Sequence, residues 1–175
     1  MLGLVDGPAS ADSESDEIIL ISRKMVQLQQ SGKMAEALPL SQRALELSEL
    51  TLGPEHPTVA IFLDQLGSLH RSLGEGARAE PLFLRSLAIR EHALGADHAV
   101  LAVSLTHLAN LYREQRRYTE AEPLFLRALS LKEKYEGINS LGIARLLENY
   151  ASLLQAVDRH EEAARFRSRA QDLRR

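Results

Sequence analysis

Apolar residues recur along most of the chain at spacings of three and four. In residues 100–115, Leu101, Leu105, Leu108, Leu111 and Tyr112 form one stripe of an amphipathic helix. After Arg116 and Arg117 a second stretch carries Ala121, Leu124, Phe125, Ala128, Leu129 and Leu131 on a broader apolar face. The same couple stands upstream, as Ile61, Phe62, Leu66 and Leu69, then Ala79, Leu82, Phe83, Ser86 and Leu87. No stretch alternates with the period of two that a half-buried strand requires. The pattern predicts an all-α chain of eight helices, over 17–31, 35–51, 57–73, 77–94, 99–115, 119–135, 141–156 and 160–174.

These helices come in repeated couples. A shift of 42 residues superposes Pro39, Pro81 and Pro123, and Ala37, Ala79, Ala121 and Ala163. It also superposes Leu45, Leu87 and Leu129, and Gly53, Gly95 and Gly137. Small residues recur on both helices of a couple: Gly67, Ala109 and Ala151 on the first, Ala44, Ser86, Ala128 and Ala170 on the second. Small residues on facing surfaces let two backbones approach, and a bulky one would overpack the joint. The prolines fall early in each second helix, where few backbone donors are expected to have helical acceptors. Gly32 and Gly74 suit a left-handed terminating residue between paired helices. Arg116 and Asp158 stand at the equivalent positions, so those turns are expected to be strained or differently shaped.

Composition narrows the chemistry. Among 175 residues there is no cysteine and no tryptophan, which excludes disulfides, thiolate metal sites and cysteine nucleophiles. The formal net charge of −3 argues against a protein built to neutralise phosphates. No apolar run reaches the ~20 residues of a membrane span, and no basic-then-apolar leader opens the chain. The expected location is cytoplasmic. Residues 1–17 hold Asp6, Asp12, Glu14, Asp16 and Glu17 with no Lys or Arg, and residues 1–16 read as an acidic disordered tail. Ser13 or Ser15 is placed to cap the first helix.

Candidate chemistry is sparse. His56 and His98 are repeat-equivalent, each before a first helix, where a histidine packs in the linker or caps a helix end. His70, His92, His107 and His160 show no metal-ligand spacing beside a carboxylate. GEGARAE (74–80) lacks the lysine and hydroxyl residue of a phosphate loop. Glu120 and Glu122 read as solvent-facing helix positions. The last helix carries Arg159, Arg165, Arg167, Arg169, Arg174 and Arg175 interleaved with acids, which reads as a solvated cap rather than a nucleic-acid patch. No catalytic residue, cofactor or metal is expected.

The strings LGPEHP, LGADHA, NLY and AEPLFLRAL resemble the tetratricopeptide repeat, in the 42-residue form of kinesin light chains. The resemblance covers roughly residues 18–174 and weakens at both ends. Met25 and Ser41 replace the usual small and aromatic residues, Arg167 stands where Phe83 and Phe125 stood, and EGINSLGI (136–143) has lost its histidine and proline. It implies a right-handed superhelical α-solenoid of about four helix pairs over residues 17–175, with units near 17–56, 57–98, 99–140 and 141–175. It also implies that each first helix lines a concave groove. Mapped residue by residue, that groove carries Arg23, then Gln65, Ser68 and Arg71, then His107, Asn110 and Arg113, then Arg145, Asn149 and Ser152.

The lysines and asparagines of the chaperone-type carboxylate clamp are only partly matched, since Asn110, Arg145 and Asn149 do not restore it. Kinesin light chains bind tryptophan–acidic peptides in this groove, a part open to Arg71 and Arg113. The expected function is therefore a non-catalytic adaptor or scaffold module holding a protein or peptide ligand, with acidic ligand residues as one option. Neither nucleic acid nor membrane is expected as a partner, and a monomer or weak homodimer is expected. The alternatives are a self-assembling structural repeat, or the regulatory or sensor segment of a larger protein.

Overall fold

Small residues at fixed intervals decide how closely the helices of this chain meet. The structure, a computed structural model, describes residues 9–137 and 141–175. Every regular element it describes is a helix: α1 (Ala9–Gln30), α2 (Met34–Leu52), α3 (Pro57–Ser72), α4 (Gly76–Leu94), α5 (Leu101–Glu114), α6 (Tyr118–Glu136), α7 (Leu141–Ala156) and α8 (His160–Asp172). Seven of the eight start within two residues of the sequence expectation, and α1 is the exception. It begins at Ala9, so residues 9–16 extend a helix rather than a disordered tail, and Ser13 and Ser15 lie inside it instead of capping it. Ala9 and Ala11 are strong helix formers, and acids suit the positive end of a helix. Residues 1–8 of the expected tail, and 138–140 of the last linker, lie outside the described residues.

The helices group into two compact units, one ending at Leu82 and the other beginning at Phe83 within α4. In the first unit α1 packs on α2 and α2 on α3. Its core joins Ile21, Met25, Ala44, Leu47 and Phe62, with a second cluster of Leu28, Ala37 and Leu69. In the second unit α5 pairs with α6 and α7 with α8, while α7 also packs on α6 and touches α5. Phe83, Ile89, Leu101, Leu105, Leu111, Phe125, Ile143 and Leu147 are fully buried there. Ala37, Ala44, Ala79, Ser86, Ala109, Ala121, Ala128, Ala151, Ala163 and Ala170 all have 0% exposure, as close helix contact requires.

The turn within each couple has one geometry. Gly32, Gly74, Arg116 and Asp158 have φ of 72°, 78°, 61° and 60°. The following amides reach back to the helix, Lys33 to Leu28, Glu75 to His70, Arg117 to Tyr112 and Arg159 to Leu154, at 2.8–2.9 Å. This is the Schellman closure. It holds whether or not glycine is present, so Arg116 and Asp158 carry the strain of a left-handed non-glycine residue. His56 and His98 behave as expected of helix-end residues: each Nδ1 accepts from a backbone amide two residues on, at 3.2 and 3.3 Å.

The prolines depart from expectation. Pro39, Pro81 and Pro123 are the sixth residues of α2, α4 and α6, beyond the turn of orphan donors. Each therefore forgoes a helical bond to the carbonyl four residues back. The loss is tolerable because the prolines and Ala35, Ala77 and Thr119 are all exposed, which leaves water to serve those carbonyls.

A cation opens most second helices and grips an acid three residues on. Lys33 meets Glu36 at 2.9 Å, Arg117 holds Glu120 at 2.7 and 2.8 Å, and Arg159 holds Glu162 at 2.7 and 2.8 Å. Hydrogen bonding to these guanidinium groups keeps the Glu120 and Glu162 carboxyls below the usual range. The second couple reverses the charges. There Glu75 faces Arg78 at 3.6 Å and bonds the buried His70 at 2.6 Å, and the His70 bond lowers its pKa. Arg159 also reaches Glu122 at 2.5 Å, which accepts the Tyr150 hydroxyl at 2.8 Å. Burial, then that acid, pushes the Tyr150 phenol up to about 12.

Arg116→Gly and Asp158→Gly should each stabilise the protein, because glycine adopts φ > 0 without a Cβ clash. The expected gain is roughly 1 kcal/mol apiece, or a Tm rise of about 2–4 °C by calorimetry. Ala121→Leu should cost about 1–3 kcal/mol by overpacking the α5–α6 joint. Unchanged melting in all three variants would contradict this picture of turn and joint.

Candidate functional site

The first helices bury one face, and their polar residues sit at its edges. On α1, Arg23 is exposed. On α3, Gln65, Ser68 and Arg71 are half-buried beside Asp64, which is 4% exposed. In the second unit α5 supplies His107, Asn110 and Arg113, and α7 supplies Arg145, Asn149 and Ser152. His107 leans on Phe83 with ring centroids 5.2 Å apart. Arg145 and Ser152 are exposed, Asn149 half-buried. The Ser152 hydroxyl donates to the Glu148 carbonyl at 2.8 Å and is thereby committed to its own helix.

Three side-chain atoms at these positions are unusual. Gln65 Oε1, Asn110 Oδ1 and Arg113 Nε are buried and have no hydrogen-bond partner among the described residues. Asn110 is 7% exposed, and Arg113 otherwise only approaches Glu114, at 3.7 Å. A buried polar atom left without a partner costs about 1–3 kcal/mol.

In the second unit, His107 and Arg145 line one pocket of about 320 Å³ between α5, α6 and α7. Ala102, Val103, Thr106, Lys132, Gly142 and Leu146 also line it. Neither Val103 nor Lys132 belongs to the polar stripe that the sequence marks on the first helices. A signal for Val103 was present in the sequence: the shift that aligns the repeats places Ile19, Ile61, Val103 and Arg145 in one register. Ile19, Ile61 and Val103 are 51%, 47% and 43% exposed, so this is a surface position despite its apolar residues. Lys132 gave no such signal, because it belongs to a second helix.

Arg169 of α8, and Arg174 and Arg175 just beyond it, pair with acids. Arg169 meets Glu133 at 2.6 Å, Arg174 holds Glu148 through two bonds, and Arg175 lies 3.5 Å from Asp172. Among the described residues no group of three or more metal-ligating side chains gathers. No described helix is long and apolar enough to cross a membrane.

Couples of helices repeated at a fixed interval, each first helix edged by polar side chains, define a helical-hairpin repeat protein. The tetratricopeptide repeat model matches residues 26–92, 58–134 and 101–175, and the chain belongs to the tetratricopeptide repeat family. It is similar to BtubC (BKLC) from P. vanneervenii, with 20% identity and a TM-score of 0.78 over 90% of this chain. It spans 63% of that protein's length. It is also similar to a kinesin-light-chain-like protein of Podosopora anserina with nearly identical TPR-like repeats. There the identity is 20% and the TM-score 0.69, over 98% of this chain and 78% of that one. MamA aligns with 15% identity and a TM-score of 0.57, over 98% of this chain and 96% of its own. At such identities the likeness is one of fold. No curated protein sequence matches the chain.

Asn110→Leu tests whether the Asn110 amide serves the fold. Removing a buried, unpartnered acceptor should leave Tm unchanged or raise it by a few degrees, given the ~1–3 kcal/mol cost of the unmade bond. A clear fall in Tm by differential scanning calorimetry would show that the amide is satisfied in the free protein.

Proposed function

We propose that the chain is a non-catalytic protein-interaction module, an adaptor or scaffold, that holds a peptide or protein segment against its first helices. The observation that carries the reading is the set of buried, unpartnered polar atoms at Gln65, Asn110 and Arg113. An extended peptide offers the backbone N–H and C=O groups that amide side chains lack here. Binding would then repay a desolvation cost already present in the free protein. Rigid helices limit the further cost of ordering. Arg71 and Arg113, one on α3 and one on α5, suit acidic ligand residues through charge-assisted hydrogen bonds. Membership of a repeat family that serves protein–protein interaction supports the same reading, and a cytoplasmic monomer or weak homodimer fits it.

Self-assembly is the second reading. It is favoured by Ile19 and Leu20 on α1, which are 51% and 69% exposed.

Peptides selected by phage display on the purified chain supply the test. The double variant Arg71→Glu, Arg113→Glu should keep its helicity by circular dichroism. It should lose at least about tenfold in affinity for acidic selected peptides, as expected for lost charge-assisted bonds. Full affinity in the double variant would defeat the assignment of the first helices as the binding face.

A further inference from the structure

One face of α1 is open to solvent although later first helices bury the same face. Leu20 of α1 is 69% exposed. Its register holds Phe62 on α3, which packs on α2, and Leu146 on α7, which packs on α6. Phe62 and Leu146 are only 7% and 3% exposed. The register of Lys24 holds Leu66 and Tyr150 on those helices, and that of Gln27 holds Leu69 and Leu153, all buried. Tyr150 touches Phe125 and donates to Glu122, both on α6, so this is the face that a first helix turns to the couple before it. On α1, Lys24 and Gln27 are exposed, as suits a solvated end. Leu20 keeps the hydrocarbon of a packing position, and Ile19 beside it is 51% exposed.

The charges around Leu20 run in mirrored order with opposite sign. Asp16 and Glu17 stand four and three residues before it, and Arg23 and Lys24 stand three and four after it. Asp16, Arg23 and Lys24 are exposed and Glu17 is half-buried. Along the helix axis Asp16 and Lys24 lie about 6 Å to either side of Leu20, and about 40° to either side around it. A two-fold axis through Leu20, perpendicular to α1, reverses both offsets. It sets Asp16 of one copy against Lys24 of the other, and Glu17 against Arg23, each of them twice. Glu17 spends Oε1 on Arg43 at 3.1 Å, which leaves its second oxygen to share. Neither Asp16 nor Lys24 has an ion-pair partner among the described residues, and Lys24 donates to Gln27 at 3.5 Å. A parallel pairing in register would instead set acid on acid and cation on cation.

We propose that α1 is the seat of a homodimer in which two copies of the chain pair antiparallel about Leu20. Leu20 meets its own counterpart on the axis, and the flanking charges fix direction and register, as an isologous contact requires. The proposal rests on the self-assembly reading and supplies its surface. Asp16, Leu20 and Lys24 all lie outside the polar stripe assigned to peptide binding. A single helix face is a small contact, so the dimer is weak and dissociates on dilution.

Sedimentation equilibrium of the full chain at low salt, where exposed charges act most strongly, supplies the test. The expected result is a reversible monomer–dimer equilibrium. Leu20→Glu should abolish the dimer with helicity unchanged by circular dichroism, since the side chain is mostly exposed. Asp16→Lys and Lys24→Asp should each weaken it about tenfold, because like charges then meet at two places. Mixed together, those two variants should form a heterodimer at least as tight as the parent dimer, since every Lys then faces an Asp. The double variant Asp16→Lys, Lys24→Asp should recover parental association for the same reason. Selected peptides should bind Leu20→Glu as tightly as the parent, and their loss would assign Leu20 to the ligand surface and overturn the proposal. A parent chain that stays monomeric at every concentration would remove both this surface and the self-assembly reading. A dimer that survives Leu20→Glu, or single variants that do not rescue each other, would overturn the surface and leave self-assembly standing.

Discussion

The close approach of paired helices at residues without bulk is the constraint on which the other features depend. Ala121 and Ala109 in the α5–α6 couple, and Ala163 and Ala151 in the α7–α8 couple, are wholly buried. Phe125 fills the adjoining core and meets Tyr150 of α7 at 6.0 Å, which ties one couple to the next within that unit. A helix couple alone could not bury both of its apolar faces, so stability in such repeats is shared between neighbours. The turn geometry follows from the same constraint. Two helices held this close need an abrupt chain reversal, and the left-handed residue is kept even where it is Arg116 or Asp158.

Much of this was legible in the sequence because a repeat reports each position several times. One alanine is weak evidence, whereas Ala37, Ala79, Ala121 and Ala163 at a constant interval specify a joint. The left-handed turns were legible for the same reason, through Gly32 and Gly74. Legibility failed where the repeat was silent. The start of α1 lies before the first repeat, and no register marked Ala9. The prolines keep their repeat positions, but periodicity does not say where the first hydrogen-bonded turn begins, and that start puts them beyond it.

The ends of the array show compensation that single positions conceal. In the first couple Met25 occupies the register of Gly67, while Ser41 occupies that of Phe83. Met25 and Ser41 are both buried, so bulk has moved from the second helix to the first. In the last couple Arg167 takes the aromatic register, and Phe166, one residue earlier, supplies the ring that meets Tyr150 edge-on at 4.9 Å. A one-residue displacement is invisible to a fixed shift. The candidate site divided in the same way. Polar positions on the first helices were readable as a stripe, but the pocket wall from Lys132 required knowledge of how α6 lies beside α7.

The central claim is that the polar edges of the first helices are held ready for a ligand rather than for folding. A chemical-shift map of the protein with a selected peptide tests it most directly. The account predicts that the Asn110 side-chain amide and the Arg113 Nε–H move on binding, as each gains a hydrogen-bond partner. Shifts confined to the exposed Leu84 of α4 and Leu126 of α6, with Asn110 and Arg113 undisturbed, would contradict it.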